Sequence, residues 1–148
     1  MQLEVRRLQT LEDQQRAFEL RRRVFVEEQG VSEAEEYDGL DGACHHVLVL
    51  ADGRPTGTGR WRPQPDEPGV ARLERIAVLA ELRGNGVGTL VTREMMRWAR
   101  EEGYTQAYLH AQEHALGFYA KLGFVAEGER FMDANIPHFS MRASLQSA

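Results

Sequence analysis

One cysteine, Cys44, is all that the 148 residues contain, so no disulfide can form within the chain and nothing covalent staples its fold. No apolar run is long enough to span a bilayer, and Met1 to Arg7 is not a charged-then-apolar leader. These absences imply a soluble, cytoplasmic protein that does not enter a membrane. Positive charge is the scarcer sign: 18 Lys+Arg stand against 23 Asp+Glu, a formal charge of -5 at pH 7. That balance speaks against a protein that grips nucleic acid through phosphates, and it suits a cationic small molecule better. Repeats, low-complexity tracts and long linkers are also missing, so residues 1–148 read as one domain. A chain of this length buries roughly 70% of its unfolded surface, enough for a core without staples. Metal-ligand spacing is lacking too: Cys44-His45-His46 has no second ligand pair at useful distance, so no metal is expected.

What is present alternates between strand and helix patterns. Leu3–Leu8 reads as an opening strand, and Thr10 with Asp13 resembles a capping box ahead of a helix that runs to about Gly30. Leu11, Phe18 and Phe25 share a face of it, with Arg21, Arg22 and Arg23 on a solvated side. The acidic, turn-rich stretch 31–42 reads as a loop. Residues 46–51 and 55–61 form a hairpin about Asp52-Gly53, and 71–79 form a strand with one register irregularity between Leu73 and Ile76. Val87, Leu90, Val91, Met95 and Trp98 define the clearest helix, which Gly103 ends. A strand at 106–111, a short helix at 115–122 and two last strands at 124–128 and 139–143 complete the order. The expected class is α/β (α+β): a mixed, mostly antiparallel sheet of six or seven strands with helices on both faces, and one parallel step near residues 71–111.

Arg83-Gly84-Asn85-Gly86-Val87-Gly88-Thr89 joins a strand to that best helix. Backbone N–H groups converge at a helix N-terminus, and glycines let a phosphate approach without a Cβ in the way. A plain turn accounts for three glycines in five residues equally well, so the neighbouring chain has to discriminate. A P-loop would close on Gly-Lys-Ser/Thr, whereas Thr89-Leu90 follow Gly88 without a lysine. The dinucleotide fingerprint needs G-x-G-x-x-G and an acid ending the next strand; the spacing here is G-x-G-x-G and that strand ends His110-Ala111-Gln112.

The loop does match the pattern Arg/Gln-x-x-Gly-x-Gly/Ala, through Arg83, Gly86 and Gly88. Leu73-Glu74-Arg75-Ile76-Ala77-Val78 precedes it, and Ala115, Phe118, Tyr119, Gly123 and Phe124 follow in order. On these residues the chain resembles the GNAT superfamily of acyl-coenzyme A N-acyltransferases. Its opening Arg23–Gln29, acidic loop and closing Ile136-Pro137-His138-Phe139 are similar to one bacterial subgroup. The resemblance implies transfer of an acetyl group from acetyl-coenzyme A to the primary amine of a small molecule or peptide, by direct attack in a ternary complex. A non-catalytic coenzyme A sensor, or an enzyme like the acyl-homoserine lactone synthases, is the alternative.

By the same resemblance, backbone groups of Ile76, Ala77 and Val78 pair with the pantetheine arm, and residues 83–89 hold the pyrophosphate. Ala115, Phe118 and Tyr119 complete the cofactor site. Gln112 stands where many members have asparagine, so its contact with coenzyme A is a departure from the pattern. The backbone N–H near Val78 is the implied donor to the thioester carbonyl. Tyr119 is the implied acid for the departing sulfur; a phenol near 10 against a thiol near 8.5 makes full proton transfer uphill by ~2 kcal/mol, so a hydrogen bond is most of its task. Glu74, His110 and His138 are the candidate bases, and Phe25, Gln29, Glu74 and His110 the candidate acceptor contacts. The acidic loop either lines the acceptor pocket or is simply solvated. A homodimer through edge strands near the C-terminus is expected.

Overall fold

The run Val47-Leu48-Val49-Leu50-Ala51 has no polar alternation that would leave one face in water, and it forms a strand covered on both sides. This computed structural model describes residues 1–146; Ser147 and Ala148, the end of the expected 1–148 domain, lie outside the described residues. The elements in chain order are β1 (Leu3–Arg7), α1 (Leu11–Arg21), a π-helix (Arg22–Glu28), α2 (Glu33–Glu36), β2 (His45–Ala51), β3 (Arg54–Pro63) and β4 (Val70–Val78). They continue with α3 (Val87–Glu101), β5 (Gln106–Gln112), α4 (Leu116–Ala120), β6 (Val125–Asp133) and β7 (Ile136–Ser144). The strands make one seven-stranded sheet in the order β1-β2-β3-β4-β5-β7-β6. Every neighbouring pair is antiparallel except β4 with β5. The mixed, mostly antiparallel α/β architecture is therefore as expected.

Alternation along β2 sorts the two faces. Val47 and Val49 pack into the large core with Val87, Val91, Met95 and Ala99 of α3, whereas Leu48 and Leu50 meet Ala17 of α1 and Leu8. Helices thus cover both faces. Among the described residues no helix is long and apolar enough to cross a membrane. The hairpin at Asp52-Gly53 has both residues at positive φ, 49° and 82°, as a two-residue turn of that hand requires. Thr10 Oγ1 accepts from the Asp13 N–H at 3.2 Å and caps α1.

Glycine lets α3 lie directly on β3. A Cβ built on Gly59 would stand 2.8 Å from Val91 Cγ1 and 2.7 Å from Met95 Cε, and both side chains are fully buried. Gly59→Ala should therefore destabilise the fold by about 1–3 kcal/mol, read as a lower midpoint in urea at unchanged slope.

Two expectations about the first helix need correcting. It does not stay α-helical to Gly30: from Arg22 the chain winds as a π-helix, with the Gln29 N–H donating to Val24 O at 3.1 Å. Nor are Leu11 and Arg21 where the seven-residue spacing puts them. Leu11 is 71% exposed, while Arg21 is 1% exposed beside Ala17, Leu20 and Val24. The 17-20-21-24 stripe buries an arginine because the acidic segment 36–41 supplies its counter-charges. The stretch 31–42 is also not all loop, since α2 lies in it with Ser32 Oγ accepting from the Glu35 N–H at 3.1 Å.

Candidate active site

β4 and β5 run side by side only from Val70–Gln106 to Arg72–Tyr108, although β4 continues to Val78 and β5 to Gln112. Each strand stays with its other neighbour: β5 pairs with β7 as far as Gln112–His138, and β4 pairs with β3 as far as Val78–Gly57. The sheet therefore opens as a V. The bend in β4 is the irregularity expected between Leu73 and Ile76, where the register against β3 shifts and Arg75 adopts φ 55°.

A cavity of about 240 Å³ lies in the opening. Of the residues singled out from sequence, Phe25, Gln29, Glu74, Ile76, His110, Gln112, Ala115, Tyr119 and His138 all line it. At the mouth of the V, Gly84 and Gly86 take φ 87° and 83° ahead of α3, whose first-turn N–H groups have no acceptor within the helix. A Cβ on Gly88 would come within 3.2 Å of Phe118 Cζ and 3.5 Å of Val78 Cγ2, so the ends of β4, α3 and α4 converge there. Ala77 and Val87 are buried in the core, which leaves only their backbone to a ligand. Asn85 Nδ2 donates to Leu82 O at 3.1 Å and steadies the loop. Thr89 is partly buried in the first turn of α3. Arg83 is already engaged: its Nε donates to Val78 O at 3.1 Å, and its other nitrogens meet Glu28 at 2.5 and 2.7 Å.

The three candidate bases sit in different environments. Glu74 is held by Arg62 at 2.6 Å, Arg72 at 3.0 Å and Arg60 at 3.1 Å. Burial alone would raise its pKa, but the Arg62 hydrogen bond and the surrounding guanidinium charges outweigh it and hold the carboxyl below its usual range. His110 has both ring nitrogens in use. Arg72 can only donate, at 3.1 Å, so Nδ1 is the acceptor; Nε2 then carries the proton and faces Tyr108 Oη at 3.1 Å, which donates to Ser140 at 2.8 Å. Burial, and next the Arg72 charge, push its pKa down to about 4. At His138 the reverse holds. Its Nδ1 faces the Ile136 carbonyl at 2.7 Å, and a carbonyl only accepts, so the proton is on Nδ1 and the Nε2 lone pair has no partner among the described residues. The ring is 8% exposed and stacks on Phe131 at 5.7 Å. Tyr119 is buried against Phe118 and Phe124, and burial raises its phenol pKa.

Behind the cavity lies a charge network that sequence spacing did not reveal. Arg21 meets Glu36 at 2.5 Å and Asp41 at 2.7 Å; Arg60, with no exposure, meets Asp38 at 2.7 Å, Asp41 at 2.8 Å and Glu74. Arg75 joins Glu36 to Asp38 at 3.0 and 3.2 Å. Burial opposes ionisation of Asp38, yet the Arg60 hydrogen bond, the Leu40 N–H and nearby arginines bring its pKa down to about 2. The acidic segment is thus divided: Glu36, Asp38 and Asp41 neutralise buried arginines, Glu33 and Glu35 stay exposed, and Glu35 and Glu36 line the cavity as one of the two expectations had it. Arg72, Arg75, Asp133 and Ile136 also line the cavity and were not among the candidate site residues. Only the Asp133–Ile136 hairpin turn, with Ala134 and Asn135 at positive φ, carried a local signal for this. Cys44 is no activated nucleophile, since burial raises its thiol pKa and its Sγ donates to Leu40 O at 3.2 Å. Among the described residues no group of three His, Cys, Asp or Glu is arranged to hold a metal ion.

The Acetyltransferase (GNAT) family model matches residues 8–124, and the chain belongs to that family. The uncharacterised protein YyaT of Bacillus subtilis (strain 168) is 39% identical over 142 residues, 94% of each chain. An acyl-CoA N-acyltransferase from Pseudomonas aeruginosa superposes with a TM-score of 0.81 at 30% identity, over 96% of this chain and 98% of its own. Escherichia coli ElaA does so with a TM-score of 0.85 at 25% identity, over 96% and 99%.

Proposed function

We propose that this chain transfers an acetyl group from acetyl-coenzyme A to a primary amine of a small molecule or peptide, by direct attack in a ternary complex. The observation that carries the reading is the V between β4 and β5, open from Leu73 and Leu109 onward and ending at the glycine-lined start of α3. A pantetheine arm is a chain of amides, and an unpaired strand edge offers it hydrogen bonds as a further strand would. The diphosphate suits the α3 N-terminus, where Gly84 and Gly86 reach left-handed φ and carry no side chain toward a ligand. An aminoglycoside 6'-N-acetyltransferase solved with coenzyme A has this fold, with a TM-score of 0.78 at 19% identity.

Within that site the residues divide the proton work. His138 Nε2 takes a proton from the ammonium of the acceptor; the freed amine nitrogen forms its bond to the thioester carbonyl carbon as the C–S bond breaks, and its surplus proton goes to the thiolate, which leaves toward Tyr119. Because burial makes the Tyr119 phenol a weaker acid still, it donates a hydrogen bond to sulfur rather than a whole proton. Glu74 and His110 are spoken for by Arg60, Arg62 and Arg72, and in this reading they shape the pocket instead of taking the proton.

Two measurements test the proposal together: calorimetric titration with acetyl-coenzyme A, and thiol release with spermidine, kanamycin, free amino acids and short peptides as acceptors. Gly86→Asp, which puts a carboxylate at the phosphate site on a backbone of φ 83°, should weaken binding by at least about tenfold while the far-ultraviolet spectrum stays native. Unchanged affinity would sink the phosphate assignment. Binding with no turnover on any acceptor would favour the sensor function over catalysis.

A further inference from the structure

Gln112 occupies the position at which relatives with asparagine are implied to contact coenzyme A, yet its amide is committed elsewhere. Its Nε2 donates to Gln29 Oε1 at 3.0 Å. Its Oε1 accepts from His114 Nε2 at 2.7 Å and, more weakly, from Gln29 Nε2 at 3.4 Å. With the Gln112 oxygen facing it, His114 Nε2 must carry the proton, and this orientation of the amide also completes the reciprocal pair with Gln29. Gln29 reaches this point because the π-helix winds wider than an α-helix and turns Phe25 and Gln29 toward the cavity, which both of them line. The preceding residue, Glu28, holds Arg83 on the other lip of the V. Consecutive residues of one segment are therefore tied to opposite sides of the opening. Two glutamines span the gap; an asparagine at either end is a methylene shorter, about 1.5 Å, and breaks the pair.

We infer that Gln29 and Gln112 form a clasp that positions the π-helix as a wall of the acceptor pocket, and that Gln112 does not hold coenzyme A. The inference rests on the acetyl-transfer reading only for its kinetic arm. Calorimetric titration with coenzyme A, amide hydrogen exchange and acetyl-transfer kinetics on wild type, Q29A, Q112A, Q112N and the Q29A/Q112A double variant test it. Coenzyme A affinity should stay within about twofold of wild type in all of them. Exchange at amides 24–31 should quicken about tenfold in Q29A, Q112A and Q112N alike, and no further in the double variant, because the two side chains form one interaction. With whichever of spermidine, kanamycin, amino acids or peptides turns over fastest, KM for the amine should rise about fivefold with kcat within twofold. A tenfold loss of coenzyme A affinity in Q112A but not Q29A would overturn the clasp and return Gln112 to the cofactor. So would additive effects on exchange, or exchange like wild type. If wild type bound no coenzyme A, the reading of function would fail, and exchange would still decide the clasp.

Discussion

His138→Asn should lower kcat by about 10²–10⁴-fold at neutral pH, the range for loss of a positioned general base, with coenzyme A affinity within twofold of wild type. Asparagine is the informative replacement because its side-chain nitrogen can still donate to the Ile136 carbonyl, the bond His138 makes at 2.7 Å. The geometry of the turn survives and only the Nε2 lone pair is lost. An amine acceptor arrives mostly as ammonium at pH 7 and must lose a proton before it can attack. Raising the pH toward the acceptor's own pKa, about 10 for an alkylamine, supplies the neutral form from solution, so the deficit should shrink as pH rises. A variant with wild-type kcat throughout the range would show that water, or another group, takes the proton. The corresponding Glu74 and His110 variants are less informative, because both side chains are bound by arginines and their loss would disturb Arg60, Arg62 and Arg72 as well.

Arg21→Met should destabilise the protein by about 3–5 kcal/mol, a fall in Tm of roughly 6–20 °C for a chain of this size. The volume of the long side chain is kept, so the loss comes from Glu36, 2% exposed, whose partner at 2.5 Å disappears. Arg75 remains beside Glu36 and Arg60 beside Asp41, which limits the damage to one uncompensated charge. Burial already raises the Glu36 pKa, and the charge of Arg21 is the largest influence opposing it. Without Arg21 the folded-state value rises further above the unfolded one, so the folded variant binds more protons. Its deficit relative to wild type should then shrink as pH falls through that raised value and reach its full size above it. Adding Glu36→Gln to Arg21→Met should recover part of the loss at neutral pH. A deficit that does not change with pH, and no recovery in the double variant, would mean that packing rather than charge sets the cost.

Neither of these two effects is visible in a local stretch of sequence, whereas other features are. Glycines at 84, 86 and 88 ahead of an apolar stripe, Asp52-Gly53 between two short strands and the broken alternation from Leu73 to Ile76 are local patterns. Each is caused by a backbone requirement that neighbouring residues satisfy. They were legible, as was the order of the elements apart from the π-helix and α2. Arg21 was not: on its own helix it looks like a member of a basic run, and only acids up to twenty positions away make its burial tolerable. The choice among Glu74, His110 and His138 was equally hidden, since a histidine's free nitrogen is decided by which group faces the other one.

The Arg83–Thr89 loop and its neighbouring motifs therefore determined the family and the helix that starts at Val87, because those features depend on short-range backbone geometry. The opening of β4 from β5, the clasp of Gln29 on Gln112, the arginine network and the tautomer of His138 were decided only in three dimensions. Each of them is an interaction between distant segments, and its energy depends on burial and on partner distance. Neither quantity exists until the strands have chosen their neighbours.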